Sequence, residues 1–379
     1  MLGTFLVRSG VLTSVHSFAA DPGRGAYILG FLIVVVVVAY GLLILRGHRL
    51  MAPAQVSNTV SRESALLFNN FLFVGAAIIV LTGTLYPLAI EVLTGERVSV
   101  AAPYFNKVMA PLMLAIILLM GLGPLIPWRK ANWDKLRRQF AVPIGLGLGI
   151  AIIAALFGAR DVIALIAIGL VGFVFFATGG DVFTAIAAQQ KVTGRGWLAS
   201  LRNLARHNQR RYGGFIVHMG TLVLVIGVVG SAFFRHEATV TLAPGQVVQA
   251  GPYSLTLKTV QPENGPNYSA RVALFDWVHK EGGRGHLKPS KRNYPVTKTV
   301  TTEAAIHSTF AGDLYVVMGQ ETGDGRVVTR VFWNPLVNWI WIGWMIVLLG
   351  VGFAMTKGAQ YRGQQKHSSS SKAQEVAVS

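Results

Sequence analysis

The hydropathy pattern of the chain consists of seven long apolar runs separated by polar segments. The runs cover 26–46, 65–86, 108–127, 140–158, 162–180, 214–234 and 336–356. Each approaches the length of about 20 residues that an α-helix needs to cross about 30 Å of hydrocarbon. A water-soluble domain does not need apolar runs this long, so the pattern predicts a polytopic α-helical membrane protein with about seven spans. The mean hydropathy of +0.50 agrees with this prediction.

The pattern changes over residues 235–333, where apolar and polar residues alternate in short runs. Pro-Gly, Gly-Pro and Gly-Asp-Gly sequences separate these runs, as turns separate strands. We therefore predict a small extracytoplasmic β domain, a sandwich or barrel, over 235–333. The last membrane helix follows over 334–357, and the polar, serine-rich residues 358–379 are predicted to be a disordered cytoplasmic tail.

Basic residues concentrate beside the spans of region 26–234, which holds membrane helices 1 to 6. If the spans alternate in direction, these residues share one side, which the positive-inside rule assigns to the cytoplasm. They are Arg46, Arg49, Arg62, Arg129, Lys130, Lys135, Arg137, Arg138, Lys191, Arg195, Arg202, Arg206, Arg210 and Arg211. The prediction is a multi-pass protein of the bacterial inner membrane, with the β domain in the periplasm and the C-terminus in the cytoplasm. Contact with anionic membrane lipid explains the net charge of +18, so we predict no nucleic-acid binding.

The beginning of the chain is unusual. Its first seven residues, MLGTFLV, are apolar but too few to span, and Arg8 follows them. We interpret 1–25 as the outer end of a truncated span plus an extracytoplasmic loop that carries a histidine. This predicts either a truncated coding region or a chain that pairs with a separate upstream polypeptide.

Composition excludes several kinds of chemistry. The chain has no cysteine, so it cannot form a disulfide or a zinc–thiolate site, and a metal would need His, Met or oxygen ligands. It also lacks a Walker A sequence, a nucleophile elbow and an H-E-x-x-H motif. The GLGLG run over 145–149 lies inside a span, which favours close helix packing over phosphate binding. The histidines are the remaining candidates.

His218 lies inside the sixth predicted span. On a helix its face also carries Gly214, Phe215, Thr221 and Leu222, two of which are small enough to leave room for a flat ligand. An imidazole in hydrocarbon costs a few kcal/mol unless it gains an interaction, so a functional role is the default hypothesis. Three explanations stay open: heme ligation by the neutral imidazole, a proton relay, and an interhelical hydrogen bond.

His16 lies in a loop that keeps apolar residues although it is predicted to meet water, with Arg8 and Arg24 near its ends. The imidazole could bind heme iron and the guanidinium groups could pair with the heme propionates, so this loop would suit the edge of a heme. The alternative is a segment that lies on lipid, with His16 solvated. The other histidines are predicted to be solvated: His48, His207, His236, His279, His286, His307 and His367.

Four segments together resemble one family. LGTFLVRSGVLTSVHSFAADPGRG (2–25) closely resembles the loop after the tryptophan-rich region of CcmF, the heme lyase subunit of cytochrome c maturation. Later segments of that family resemble YGGFIVHMG (212–220), APYFNKVMAPLM (102–113) and VFWNPLVNWIWIGWMIVLLG (331–350). The resemblance covers essentially the whole chain, but only the C-terminal part of the family's pattern.

The resemblance implies a role for two histidines. His16 would be an axial ligand, and in this sense the catalytic residue, for heme delivered by the heme chaperone CcmE. His218 would be one of two ligands of a resident heme b within the membrane, which passes electrons to the delivered heme. The delivered heme would then be joined through its vinyl groups to the CxxCH thiols of apocytochrome c, with a CcmH-type thiol-reducing subunit as a further partner.

In the family's pattern, the tryptophan-rich region and both partner histidines lie upstream of the position of residue 1. We therefore expect one ligand per heme from this chain, and no lyase activity without an upstream polypeptide. Two other functions stay open. One is a transporter that uses His218 as a proton relay, although no inverted repeat is evident in the sequence. The other is an assembly scaffold that binds CcmH or apocytochrome c but no heme.

Overall fold

The computed structural model describes residues 2–9, 22–49, 61–96, 98–127, 133–296, 298–322 and 325–356. The chain divides into two compact units, Met1–Ala141 and Val142–Ser379. The helices are α1 (Leu2–Arg8), α2 (Pro22–Arg46), α3 (Arg62–Thr94), α4 (Ala102–Leu122), α5 (Trp133–Leu156), α6 (Val162–Thr193), α7 (Trp197–His207), α8 (Gln209–Phe233) and α9 (Asn338–Thr356). Seven of them, all except α1 and α7, are long and apolar enough to cross a membrane, which confirms the predicted fold class. The predicted tail lies outside the described residues.

Two of the spanning helices are longer than their hydropathy predicts, because caps determine where they end. α3 has 33 residues: the Ser61 side chain accepts a hydrogen bond from the Ser64 N–H at its start, and Gly95 ends it with a φ of 73°. α6 has 32 residues and is capped in the same way by Asp161 and Gly194. Such caps satisfy backbone groups at helix ends and can lie beyond the apolar run.

α7 is a helix that the sequence analysis did not predict. Its 11 residues are too few to span a membrane, and the basic residues around it favoured a loop. The helix is amphipathic. Trp197, Leu201 and Ala205 recur every four residues on one side of it, whereas Arg202 and Arg206 are exposed. This spacing was the available signal for a helix.

Within the second unit, α8 and α9 pack through glycines that bring their backbones into contact. A Cβ atom on Gly220 would lie 2.7 Å from the backbone nitrogen of Val347, and one on Gly343 would lie 2.5 Å from that of Leu224. The same close approach between the two helices occurs at Gly213, Gly227 and Gly350, whereas Gly230 meets Pro335 and Leu336 just before α9. Small residues allow this packing between membrane helices, where the lipid supplies no hydrophobic driving force.

The predicted close packing at the GLGLG run is confirmed at its central glycine. A Cβ atom on Gly147 of α5 would lie 2.5 Å from the carbonyl oxygen of Gly169 in α6. Gly145 and Gly149 have no atom within 4 Å of the corresponding position. The close contact between α5 and α6 therefore uses only one of the three glycines.

The β domain is a sandwich of two antiparallel sheets, as predicted in outline. One sheet has the strand order β1-β10-β9-β8, and the other has the order β2-β3-β4-β6-β7 with β5 paired to β4. The strands are β1 (His236–Leu242), β2 (Val247–Ala250), β3 (Tyr253–Asn264), β4 (Ser269–His279), β5 (Arg284–Leu287), β6 (Ser290–Tyr294), β7 (Thr299–Glu303), β8 (Ala305–Thr309), β9 (Gly312–Glu321) and β10 (Val327–Pro335).

The core of the sandwich follows from the alternation of residues along its strands. In β9, Leu314, Val316 and Met318 are buried while the residues between them are only half-buried. From the facing sheet, Leu255 and Phe275 contribute side chains that are fully enclosed. Apolar side chains with a period of two therefore form one contiguous core.

The β8–β9 turn attaches the sandwich to the start of α9. The Asn338 side chain donates hydrogen bonds to the Thr309 carbonyl oxygen at 2.8 Å and to Asp313 at 2.7 Å. The Trp339 indole N–H donates to the carbonyl oxygen of Phe310 at 3.1 Å. These contacts, together with the continuous chain from β10, connect the sandwich to a membrane span.

An ion pair between the two sheets predicts that acid weakens the sandwich. Arg271 of β4 donates two hydrogen bonds to the Glu321 carboxylate of β9, at 2.7 and 2.8 Å, and these hold the pKa of Glu321 below its usual value. This stabilisation is present above the unfolded pKa of about 4.3 and is lost as the pH falls through the lower folded pKa. Because both side chains are partly exposed, it amounts to about 1 kcal/mol or less.

We therefore expect Glu321→Gln to reduce hydrogen-exchange protection of the sandwich at pH 7. The difference from the unsubstituted chain should disappear on acidification below the folded pKa of Glu321. The matched control is Glu263→Gln, which changes an exposed carboxylate. A difference that is the same at neutral and acidic pH would show that the carboxylate charge contributes nothing.

Candidate functional site

His218 lies in the interior of α8, and an ion pair holds the first turn of this helix against α6. Arg211 pairs with Asp181 of α6 at 2.7 Å, and its guanidinium lies over the Phe215 ring, 5.6 Å from the centroid. About two helical turns separate Arg211 from His218. The beginning of α8 is thus attached to α6, and His218 follows in the apolar part of the helix.

His218 lies on the side of α8 opposite the glycines that contact α9. Gly213 and Gly220 form that contact, whereas Phe215 and Leu222, one turn to either side of His218 on its own face, are buried. His218 is half-buried, as are Gly214 and Thr221 one turn to either side. A Cβ atom on Gly214 would meet no atom within 4 Å, so space is open beside the imidazole.

The imidazole of His218 has no hydrogen-bond partner among the described residues. Its Nδ1 atom is enclosed and unpaired. The nearest hydroxyl on this face, Thr221 Oγ1, donates to the carbonyl oxygen of Val217 at 2.9 Å and so bonds its own helix. A buried polar atom without a partner is unfavourable by about 1–3 kcal/mol. The interhelical hydrogen bond considered for His218 therefore finds no support in the described part of the chain.

The Nε2 atom of the imidazole is the one that a ligand from outside these helices can reach. It is not enclosed and has no hydrogen-bond partner among the described residues, so it is available to a metal, and binding there leaves the enclosed Nδ1 as it is. Among the described residues, no group of three or more His, Cys, Asp and Glu side chains is placed to hold a metal ion. His218 can therefore supply one ligand to an iron whose other ligands belong to a macrocycle or to another helix.

The other histidines and Arg8 differ in how far the structure describes them. Arg8 is the last residue of α1. His16 lies outside the described residues, so its distance from His218 is not defined. The predicted solvation of His307 is wrong, because its ring is half-buried and stacks on Trp277 with centroids 4.3 Å apart. His286 is exposed as predicted but pairs with Asp276 at 2.6 Å.

Comparison with known proteins agrees with this architecture. Residues 233–335 match a family model described as the CcmF C-terminal beta-sandwich. The chain is 36% identical over 351 residues to the cytochrome c-type biogenesis protein CycK of Rhizobium meliloti (strain 1021), covering 92% of this chain and 51% of that protein. It is 35% identical over 356 residues to CcmF of Pseudomonas aeruginosa, covering 93% of this chain and 52% of that protein.

A solved structure named Cytochrome c Heme Lyase CcmF has the same fold over most of this chain. The TM-score is 0.66 at 26% sequence identity, and the match covers 93% of this chain and 54% of the solved one. The chain belongs to the CcmF family. It spans about half the length of the curated CcmF and CycK relatives that it matches.

Membership of the CcmF family confirms the resemblance seen in the sequence and relates the chain to cytochrome c biogenesis. The matched β-sandwich, residues 233–335, covers all ten strands and the last residue of α8. The names of CcmF relatives concern biogenesis or a heme lyase, and none assigns a role to an individual residue. The role of His218 therefore has to be argued from its surroundings in α8.

Proposed function

We propose that this chain is part of a membrane heme lyase of cytochrome c maturation, in which His218 would bind the iron of a heme b held within the membrane. The observation that carries the proposal is the unpaired imidazole of His218 beside the open space at Gly214. A neutral imidazole in a spanning helix is a common ligand of heme iron, and a small neighbour lets a planar ring approach the backbone. Heme bound there would supply a redox centre.

The surrounding residues would keep the imidazole in place. The glycine contacts between α8 and α9 leave little freedom for α8 to tilt or rotate. The ion pair between Arg211 and Asp181 restrains the start of the same helix. Both features limit the movement of His218, which suits a ligand that must hold an iron at a constant distance and orientation.

We further propose that His16 binds the heme delivered by CcmE, with Arg8 as a partner for its propionates. Thioether formation joins the heme vinyl groups to thiols. These thiols would come from the CxxCH motif of apocytochrome c, kept reduced by a CcmH-type subunit, since this chain has no cysteine. The contribution of the chain is then to bind and orient both reactants. A polypeptide that carries the family's tryptophan-rich region would supply the second ligand of each heme.

The proposal also includes an orientation in the membrane. The basic residues of α7 and of the first turn of α8 would face the cytoplasm, following the positive-inside rule. The β domain and the loop that carries His16 would then face the periplasm of a bacterial inner membrane. This arrangement puts His16 on the side where cytochromes c are assembled, and His218 within the bilayer.

The test is the reduced-minus-oxidised absorption spectrum of the purified chain, coexpressed with a polypeptide that carries the N-terminal half of a CcmF relative. We expect b-type bands that disappear in His218→Gly, because the iron would lose the imidazole that binds it. Added imidazole should restore them by entering the space left by the side chain. The matched control is His48→Gly, which removes a histidine at the end of α2 and should leave the spectrum unchanged.

Two results would contradict the proposal. If the coexpressed chain stays colourless, or if His218→Gly keeps the full spectrum, His218 does not bind heme. A variant without heme that still supported cytochrome c assembly would favour the scaffold function. A colourless chain in which His218→Gly abolished uptake of a solute would favour the transporter.

A further inference from the structure

A cavity of about 540 Å³ lies between α6, α7 and α8, and His218 is not one of its lining residues. Its walls are almost entirely apolar, and residues from all three helices line it, including Val182, Ile186, Leu201, Ile216 and Met219. Its volume is within the range of about 300–1,000 Å³ that is typical of ligand sites. Because α6 and α8 are membrane spans, the surrounding solvent is lipid.

Two buried hydroxyl groups line this otherwise apolar cavity. Thr178 and Tyr212 line it and are 3% and 6% exposed, and neither hydroxyl has a hydrogen-bond partner in the described part of the chain. A threonine in a helix can bond its own backbone, as Thr184 does to the carbonyl oxygen of Gly180 at 2.7 Å. An unpaired buried hydroxyl is unfavourable, because it has given up its hydrogen bonds to water and gained none in return. Two such donors in one apolar cavity indicate a ligand with an acceptor oxygen and an apolar body.

Positive charge lies beside the cavity on α7. Trp197 lines both this cavity and a second, more polar groove, which is also lined by Arg195, Arg202 and Arg206. Arg202 and Arg206 are exposed and one helical turn apart. A short amphipathic helix between two spans is expected to lie at the membrane surface, where phosphate groups are found. Guanidinium groups bind phosphate oxygens through charge-assisted hydrogen bonds.

We propose that the cavity binds one acyl chain of an anionic phospholipid from the surrounding bilayer. The ester carbonyl oxygen accepts hydrogen bonds from Thr178 and Tyr212, and the phosphate pairs with Arg202 and Arg206. An anionic phospholipid explains the apolar walls, the two unpaired donors and the neighbouring positive charge together. A zwitterionic lipid leaves part of the arginine charge unbalanced. The bound lipid joins α7 to α6 and α8, and this role does not depend on heme.

The first test measures phospholipid retained by the full chain after purification in mild detergent, with phosphatidylglycerol added as the probe. We expect about one phosphatidylglycerol per chain by native mass spectrometry. Retention should fall roughly tenfold in the double variant Thr178→Val, Tyr212→Phe, because the ester oxygen loses both of its hydrogen-bond donors. The matched control, Thr184→Val with Tyr40→Phe, removes two hydroxyls outside the cavity and should retain lipid normally.

The second test concerns the headgroup. In the double variant Arg202→Gln, Arg206→Gln, the preference for phosphatidylglycerol over phosphatidylcholine should fall at least fivefold, while Arg137→Gln with Arg138→Gln should preserve it. Tyr212→Phe alone removes a single oxygen, so it serves as the folded comparison if the double hydroxyl variant aggregates. The proposal is overturned if the unsubstituted chain retains no phospholipid, if the hydroxyl variants retain as much as the control, or if the retained molecule is not a phospholipid.

Discussion

Replacing Gly343 with leucine should destabilise the contact between α8 and α9 by about 3 kcal/mol or more. A Cβ atom at this position would lie 2.5 Å from the backbone nitrogen of Leu224 and 2.6 Å from the carbonyl oxygen of Gly220. Both atoms belong to the backbone of α8, so they cannot rotate away as a side chain would. Overpacking commonly costs about 1–3 kcal/mol, and we expect the upper end because the helices themselves must separate.

The measurement is thermal unfolding of the detergent-purified chain, followed by circular dichroism. The matched control lies in the same helix: Gly352→Leu adds the same side chain at a position where a Cβ atom meets nothing within 4 Å. This control should have the same melting temperature as the unsubstituted chain. Equal melting temperatures for Gly343→Leu and Gly352→Leu would mean that the glycine contacts do not stabilise the pair.

The same substitution should affect the proposed heme site. Since α9 restrains the helix that carries His218, Gly343→Leu should also remove the b-type bands expected under the heme proposal, whereas Gly352→Leu should keep them. This readout separates a role in folding from a role in iron ligation, because added imidazole should not rescue a displaced helix.

Phe275→Ala should destabilise the β sandwich by about 3–5 kcal/mol. The Phe275 ring is fully enclosed at the centre of the core, against residues of both sheets. Its removal exchanges apolar contacts for a cavity that the packed strands cannot close completely. Because a domain is typically stable by only about 5–15 kcal/mol, this loss is a large share of the total.

Hydrogen exchange with mass spectrometry can follow the sandwich separately from the membrane helices, and peptides from β3, β4 and β9 should lose most of their protection. Phe310→Ala is the matched control, since this ring is 69% exposed and makes a tilted contact with the Trp339 ring, with centroids 5.1 Å apart. We expect it to cost less than about 1 kcal/mol. Similar losses for the two variants would contradict the central position of Phe275 in the core.

The sequence predicted the spanning helices and the β sandwich because both depend on local patterns. A run of about 20 apolar residues is a membrane span wherever its neighbours lie, and alternation with a period of two places apolar side chains on one sheet face. α7 was missed because its 11 residues carry two signals at once. The basic residues suggested a loop, while the recurrence of Trp197, Leu201 and Ala205 every four residues indicated a helix.

The candidate site was predicted only in part. The sequence pattern of a single helix predicts that His218 lies in a span beside Gly214, and both positions agree with the structure. It left the hydrogen-bond explanation open, because the partner of an imidazole depends on which helices lie against it. The sequence does not distinguish Thr178 and Tyr212 for the same reason: threonine and tyrosine are ordinary residues in a span, and what distinguishes these two is that they line the same cavity.

For this protein, the order of the amino acids alone determines which segments enter the membrane, which form strands and where basic residues concentrate. These properties follow from the free energy of transferring short segments between water and lipid, to which each residue contributes nearly independently. The partners of individual groups come from packing between distant segments: Gly220 meets Val347, Arg271 meets Glu321, and His218 meets no acceptor among the described residues. Such contacts depend on distances of a few ångströms between helices or sheets, which no local pattern encodes.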